Sequence, residues 1–366
     1  MEDSVACPSN AGEAQSNAAP KAAHICSLIK PHENIRKDCS GRTAKSETFL
    51  LSIPYTSSLV SHSFNPVRVA AIDFLNPAPL MWDFEHPPRN AALAQRYSVH
   101  YTQPSLCADE LLAGRADLGL IPIASLTPSL AIVPGCTIAS LDRVRSIQLI
   151  VKLNRNRVPH VLRSSSAQTM GSPFTNTEAL TAVRTIAADT ASRSSLAYAQ
   201  ILFRKFIGTD PAFLPAPAHP IAMLAQADAA LLIGDPALLA LEAREQIEAA
   251  AGPCLWIDLA HQWRSRTGLP WVAAVWAVRP EALDGVTPTQ LIEDLQHSRD
   301  SGLAHIDSLV EEWTPRIAIP PATIRNYLTR NIYYTLDPDC TATIRLFRKY
   351  AAEAEILPPL PDLRFL

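Results

Sequence analysis

From Val67 onward, short β-like runs alternate with helical stretches, and most runs end in a small or polar loop. The runs fall at 67–72, 97–101, 116–122, 137–140, 146–152, 183–188, 228–233, 255–259 and 272–278. Such alternation restricts the chain to an α/β fold of mixed, mostly parallel sheets with helices on both faces. After Pro280 the pattern turns helical, over 289–313, 321–336 and 339–354. Helices gathered at that end predict that the chain returns to complete its first domain. The apolar segments 146–151 and 272–278 bracket the middle third as two crossover strands. The predicted division is therefore 66–150 plus 271–366 as one domain and 151–270 as the other.

Within this frame one stretch carries the most chemistry: Asp189-Thr-Ala-Ser-Arg-Ser-Ser195, between the 183–188 run and a helix over 193–207. A strand ending in small hydroxyl residues at a helix start aims free backbone N–H groups, with the positive end of the helix dipole, at one point. That geometry binds a carboxylate or phosphate without a lysine. Capping accounts for one Ser or Thr there, not for Thr190, Ser192, Ser194 and Ser195 together. These four are assigned to carboxylate binding. Arg193, on the first turn, reads either as a ligand contact or as an outward partner of Asp189 or solvent.

Ligands in open α/β sheets lie beyond the carboxyl ends of strands. The loops at Asn76, Ser125, Thr190 and Asp235 all occupy such positions, so a cleft between domains would collect them. Pro77 and Pro79 lack donors and favour extended neighbours, which predicts a stiff loop over 73–80. The 105–113 stretch reads as a helix capped by Ser105, with Asp109 and Glu110 exposed. Asp235 precedes Pro236 at a helix start and reads first as its N-cap. Asp73 either orients the Asn76 loop or ends its strand. Trp271 and Trp276 either wall a ligand site or belong to the core. Residues 163–177 read as an inserted polar loop.

Charge and composition exclude several classes. With 366 residues, 48% hydrophobic and 18% charged, the chain is long enough for two domains with real cores. Its net charge of −3 offers no general attraction for nucleic acid or an anionic membrane. No apolar run is long enough to span a bilayer. Seven scattered cysteines without a Cys-x-x-Cys pair read as reduced thiols of a cytoplasmic protein, not as a disulfide framework or a zinc site. There is no G-x-G-x-x-G and no Walker A lysine, so no cofactor cradle is expected. Residues 1–65, polar and without periodicity or a secretory signal, read as a disordered extension or the product of an upstream start.

Five blocks, Asp73-Phe-Leu-Asn-Pro-Ala-Pro-Leu80, Ala116-Asp-Leu-Gly-Leu-Ile-Pro122, the 189–195 stretch, Ala229-Ala-Leu-Leu-Ile-Gly-Asp235 and Thr267-Gly-Leu-Pro-Trp-Val-Ala-Ala-Val-Trp-Ala277, resemble those of the chorismate dehydratases of the futalosine route to menaquinone. Their order and spacing fit from about Pro66 to Pro358. Ala191 and Ser194 depart from the usual block, conservatively for a site built on backbone donors. The resemblance implies a two-lobed type II periplasmic-binding-protein-like fold with a central cleft. It also implies a cytoplasmic, cofactor-free and metal-free lyase, monomeric or homodimeric, converting chorismate to 3-[(1-carboxyvinyl)oxy]benzoate.

On that basis Asn76 and Ser125 are the candidate catalytic residues. Asp73, Asp189, Thr190, Ser192, Arg193, Ser194, Ser195, Asp235 and Trp271 are candidate substrate contacts. Asn76 also reads as a turn residue before proline, and Ser125 as a loop serine capping the next turn. His219 and His261 are the side-chain bases to consider, each equally a surface or packing residue. The resemblance allows the substrate's own enolpyruvyl carboxylate to take the proton instead. Two other functions share this fold: a solute-binding protein or sensor for a small carboxylate, and the related dihydroxynaphthoate synthase, which uses a histidine.

Overall fold

The structure of the chain, a computed structural model, describes residues 65–153, 173–360 and 362–366. It begins with β1 (Val67–Ile72), which pairs in parallel with both β2 (Tyr97–Thr102) and β3 (Leu118–Pro122). Helices α1 (Ala78–Glu85) and α2 (Asn90–Leu93) join β1 to β2, and α3 (Pro104–Leu112) joins β2 to β3. A 3-10 turn, Ile123–Ser125, precedes β4 (Ala131–Ser140). The chain then leaves for a second sheet at β5 (Ile147–Lys152).

The second sheet takes its remaining strands in order: β6 (Thr185–Asp189), β7 (Ala212–Ala216), β8 (Ala229–Ile233) and β9 (Cys254–Asp258). Between them run α4 (Pro173–Thr181), α5 (Ser194–Ile201), α6 (Pro220–Gln226), α7 (Gly234–Glu242) and α8 (Arg244–Ala251). A π-helical turn, Leu202–Ile207, extends α5. After α9 (Leu259–Thr267) the chain returns to the first sheet as β10 (Trp271–Val278). The C-terminal part comprises α10 (Pro288–Ala304), α11 (Ile306–Trp313), α12 (Pro321–Asn326), β11 (Tyr333–Leu336) and α13 (Pro338–Glu353).

Strand order is β11-β4-β10-β3-β1-β2 in the first sheet and β7-β6-β8-β5-β9 in the second. Each sheet is parallel on one side and antiparallel on the other, which corrects the expectation of mostly parallel sheets. The reason lies in the crossovers. β5 and β10 each arrive from the other sheet without a covering βαβ helix, so each runs against both of its neighbours. The interior strands β3 and β8 are buried along their whole length, which explains their continuous apolar runs.

Several local expectations change in the folded chain. The loop after β1 is shorter than 73–80, because α1 starts at Ala78 with Pro77 at its N-cap in helical conformation. Proline costs a helix start little, since the N–H groups there lack intrahelical partners anyway. Ser105 is not a cap; Gln103 holds that position and Ser105 is buried inside the first turn of α3. Residues 333–336, read as the end of a helix, form β11 on the open edge of β4. Tyr333, Tyr334 and Thr335 suit a strand, and the edge of the sheet decides between two local readings. β7 was not foreseen; Pro215 interrupts its pattern but is tolerated on an edge strand.

Of the stretch read as an inserted loop, 163–172 lies outside the described residues and Pro173–Thr181 is helical. Residues 1–64 also lie outside them. Cys107, Cys136, Cys254 and Cys340 are buried free thiols. No helix among the described residues is long and apolar enough to cross a membrane.

Two features fix α1 and with it the loop that carries Asn76. Gly302 of α10 lies against the α1 backbone so closely that a Cβ there would sit 2.1 Å from the Pro79 carbonyl oxygen. Beside it, buried Asp294 accepts hydrogen bonds from Arg89 Nη2 (2.7 Å), Arg96 Nη2 (3.0 Å) and the Tyr97 hydroxyl (3.0 Å). Arg89 also reaches buried Asp83 at 2.9 Å, so one ionic network joins α1, the start of α2, β2 and α10.

Candidate active site

The tight turn after β6 sets the geometry. Asp189 Oδ1 accepts the Ala191 N–H at 2.9 Å and the Asp189 carbonyl accepts the Ser192 N–H at 3.1 Å. Desolvation pushes the buried Asp189 carboxyl above the ordinary range, against the lowering effect of the Ala191 and Ile233 N–H groups. Asp189 is thus the strut of the turn, and it does not line the cavity. Arg193 occupies the N-cap of α5 without a side-chain cap bond, so the first N–H groups of the helix have no side-chain acceptor.

The residues of that first turn line a cavity between the two sheets, with about 540 Å³ of empty space including its mouth. Ala191, Ser192, Arg193, Ser194 and Ser195 form one wall. From the other sheet come Ile72, Phe74 and Asn76 at the end of β1 and Pro122 of β3, and from the end of β8, the neighbour of β6 in its own sheet, come Ile233 and Gly234. Val144, Ser146 and Ile147 on one crossover, Ala273 and Ala274 on the other, and Pro104 and Ile138 also line it. The cavity therefore collects the carboxyl ends of strands from both sheets. Its lining is mainly apolar, and among the described residues Arg193 is the only charged one in it.

The proposed contacts separate into two groups. Asn76, Ser192, Arg193, Ser194 and Ser195 come together on the cavity. Asn76 Oδ1 and Ser192 Oγ are buried there without a hydrogen-bond partner. A buried polar atom left unpaired costs free energy that a bound ligand would recover. Ser194 is already committed: its hydroxyl donates to the Ala273 carbonyl at 2.9 Å and accepts the Ala124 N–H at 3.3 Å.

The remaining assignments are corrected. Thr190 is exposed and off the cavity, because the Asp189 turn rotates its side chain outward. Asp73 is exposed, 3.8 Å from Arg316, and faces a separate cavity behind Phe74. Trp271 is buried in an aromatic cluster with Tyr198, Trp263 and Phe347, at ring separations of 5.0, 5.6 and 5.8 Å. Ser125 is buried next to the site but does not line it; its Oγ accepts from Arg193 Nη1 at 3.4 Å. Arg193 pairs with Asp109 and not with Asp189, while its side chain stays about 34% exposed. Its Nη2 donates to both Asp109 oxygens, at 2.7 and 2.8 Å, so Asp109 is half-buried where exposure was expected.

Asp235 does not cap α7, whose N-cap is Ile233. Its carboxylate reaches across to accept the Leu75 N–H at 3.0 Å, tying the Asn76 loop to the end of β8. Burial, with Asp73 nearby, pushes it up to about 6. A carboxyl raised in the folded state stabilises the fold most at low pH, and that contribution is lost as pH rises from about 4 through about 6. Relative to Asp235→Asn, the native protein is expected to lose on the order of 2–3 kcal/mol between pH about 4 and 7. Urea unfolding at the two pH values measures it; parallel behaviour of the two proteins would refute the assignment.

Sequence reasoning missed the contact between Phe74 and Gly234. Gly234 has φ +59°, and a Cβ there would lie 2.5 Å from the Phe74 ring. A glycine between a buried strand and a helix was the available signal. Gly234→Ala is expected to cost about 1–2 kcal/mol from the backbone alone, seen as an earlier denaturant midpoint. An unchanged midpoint would contradict this packing. Ser146 and Tyr327 were also missed. The buried Tyr327 hydroxyl has Ser146 and Asn76 as polar neighbours, and burial raises its pKa well above the ordinary value.

His219 and His261 are both away from the cavity, His261 being paired with Asp142 at 2.6 Å. Among the described residues no carboxylate or histidine lines it. Among the described residues no group of three His, Cys, Asp or Glu side chains could hold a metal ion.

The sequence model of a family described as menaquinone biosynthesis matches residues 67–353. The chain belongs to the menaquinone biosynthesis family. Its match spans both sheets and every element that lines the cavity. A relative from Thermus thermophilus, named chorismate dehydratase, is 28% identical over 276 residues, covering 72% of this chain and 89% of its own. Solved structures extend the likeness in fold. A protein of Archaeoglobus fulgidus aligns with a TM-score of 0.56 at 12% identity, over 81% of this chain and 98% of its own. The periplasmic aliphatic sulphonate binding protein of Escherichia coli aligns at 0.53 and 12%, over 80% and 88%. An alkanesulfonate-binding protein of Xanthomonas axonopodis, bound to MOPS, gives 0.53 and 16%, over 80% and 94%. This member of the family therefore has a periplasmic-binding-protein-like fold.

Proposed function

We propose that the chain is a cytoplasmic lyase that dehydrates chorismate to 3-[(1-carboxyvinyl)oxy]benzoate, in the futalosine route to menaquinone. The observation that carries this reading is the cavity itself: a mainly apolar slot with uncapped helix N–H groups on one wall and the unpartnered Asn76 amide oxygen on the other. Such a slot suits a ring acid, with an anion at one end and a polar contact at the ring. The T. thermophilus relative supports the choice of substrate.

The reaction needs little from the protein beyond orientation and charge stabilisation. The C–H bond at the ether-bearing ring carbon breaks, and its electron pair forms the new ring double bond. The neighbouring C–O bond breaks, and hydroxide leaves with the released proton as water. Aromatisation supplies the drive, so holding the reacting groups in place is the main catalytic task. The first turn of α5 would grip a carboxylate through the N–H groups of Ser194 and Ser195, aided by the Ser192 hydroxyl. Asn76 would donate its amide N–H to the departing oxygen. Among the described residues no carboxylate, histidine or lysine lines the slot, and the reading assigns proton removal to the substrate's enolpyruvyl carboxylate. The two sheets and their helices would act as lobes, divided as 66–150 plus 271–366 and 151–270, opening to admit the substrate.

Incubation of the purified protein with chorismate, followed by ultraviolet absorbance and product mass, tests the reading. The expected result is an aromatic product lighter by one water. Chorismate that binds and stays unchanged would favour a receptor or sensor instead.

A further inference from the structure

Arg193 cannot by itself make the cavity attractive to a ligand with two negative charges, because Asp109 neutralises it. Another cation stands behind the same corner. Arg348, on α13, is only 3% exposed. Its Nη1 donates to the Ala124 carbonyl at 3.0 Å and its Nη2 to the Pro358 carbonyl at 3.0 Å. Its Nε has no partner, and among the described residues no carboxylate pairs with it. The contrast with Arg89 and Arg96, which share Asp294, and with Arg68 and Arg279, which share Asp117, is plain. A guanidinium removed from water without a counter-ion is costly. Burial lowers its pKa, but an arginine remains charged.

The contacts of Arg348 lead into the site. The Ala124 peptide whose carbonyl it holds belongs to the turn that presents Ser125 to Arg193. The N–H of Ala124 itself donates to Ser194 Oγ, on the cavity wall. The charge therefore sits one peptide behind the anion-binding end of α5, shielded from water and unscreened by an acid.

We propose that Arg348 is a positioning residue that supplies the uncompensated positive charge for a ring dicarboxylate, and fixes the Ala124–Ser125 turn against α5. The inference rests on the reading of the cavity as a site for chorismate. Because the ligand carries both charges before and after the elimination begins, the field of Arg348 acts on ground and transition states alike. Its loss should appear in KM and spare kcat.

The test compares Arg348→Lys, which keeps charge and donor, with Arg348→Gln, which keeps a donor and discards the charge. The lysine variant is expected to stay within about threefold of the native KM for chorismate, and the glutamine variant to rise by about tenfold or more, equivalent to about 1.4 kcal/mol. Both should hold kcat within about threefold. Circular dichroism melts of each variant accompany the assay, run cold enough to keep both folded. Equal KM values for the two variants would overturn the proposal, as would a glutamine variant impaired only in melting temperature. If Arg348→Gln does not fold even in the cold, Arg348→Met takes its place as the neutral variant. Should the native protein fail to consume chorismate, the functional reading falls separately. The same series is then read by calorimetry with isophthalate, a ring dicarboxylate. Weaker binding to the neutral variant alone supports the role of Arg348, and absent or charge-independent binding refutes it.

Discussion

Asn76→Ala is expected to lower kcat for chorismate dehydration by about 100- to 1,000-fold, the usual effect of removing one preorganised donor to a developing negative charge. Asn76 supplies the uncharged polar side chain on the β1 wall of the cavity; its Nδ2 is the group that can donate there, while its buried Oδ1, without a partner, can only accept. Its neighbours at the end of β1 do not offer a donor: Ile72 and Phe74 are apolar, and Asp73 lies 3.8 Å from Arg316. The product should still bind the variant within about threefold, because the carboxylate grip proposed for the start of α5 does not involve Asn76. Asn76→Asp should be at least as poor, since it places a second negative charge opposite a dianion. Steady-state assays with product-inhibition constants separate the two effects. Loss of binding without loss of kcat would move Asn76 from the chemistry to the grip.

Asp294→Ala should cost about 3–5 kcal/mol of stability, among the largest effects of any single substitution away from the cavity. It leaves Arg89 and Arg96, each about a quarter exposed, facing a buried position with no acceptor, and it strips the Tyr97 hydroxyl of its partner. Arg89 retains Asp83, so the network is weakened and not abolished. Replacing Asp294 by Asn keeps one acceptor oxygen and should recover part of the loss. Chemical denaturation of the three proteins measures this. A loss below about 1 kcal/mol for the alanine variant would place the network among weak surface pairs.

The two effects are connected. Arg89 and Asp294 bind the start of α2 to α10, and Gly302 of α10 admits the α1 backbone at Pro79. The loop holding Asn76 is therefore fixed from below by a buried ionic contact and a glycine, and from across the cavity by Asp235 and Gly234. Catalytic geometry of this sort depends on residues far apart in the chain.

Much of the fold was legible in local pattern. β1, β3, β8 and β10 are mainly apolar runs too short for helices and bounded by Gly, Pro or Asp, as a buried strand is expected to be, and β5 is a short run of the same kind. The 189–195 stretch announced a helix start with donors to spare, and Ser192, Ser194 and Ser195 do line the cavity. Less legible were the edge strands β7 and β11, whose identity comes from an open sheet edge and not from their own periodicity. The sense of β5 and β10 was equally hidden, because direction is set by which sheet the chain has just left.

By itself the sequence determined where strands and helices alternate, which loop carries free amide donors, and which family supplies the comparison, since each depends on residues adjacent in the chain. Only the tertiary structure decided that Thr190, Asp73 and Trp271 stand off the cavity, that Asp235 holds Leu75 and does not cap its helix, and that Asp109 neutralises Arg193. The physical reason is range. Backbone preference acts over a few residues, whereas burial, ion pairing and the direction of a side chain at a strand end are fixed by groups brought together from far along the chain.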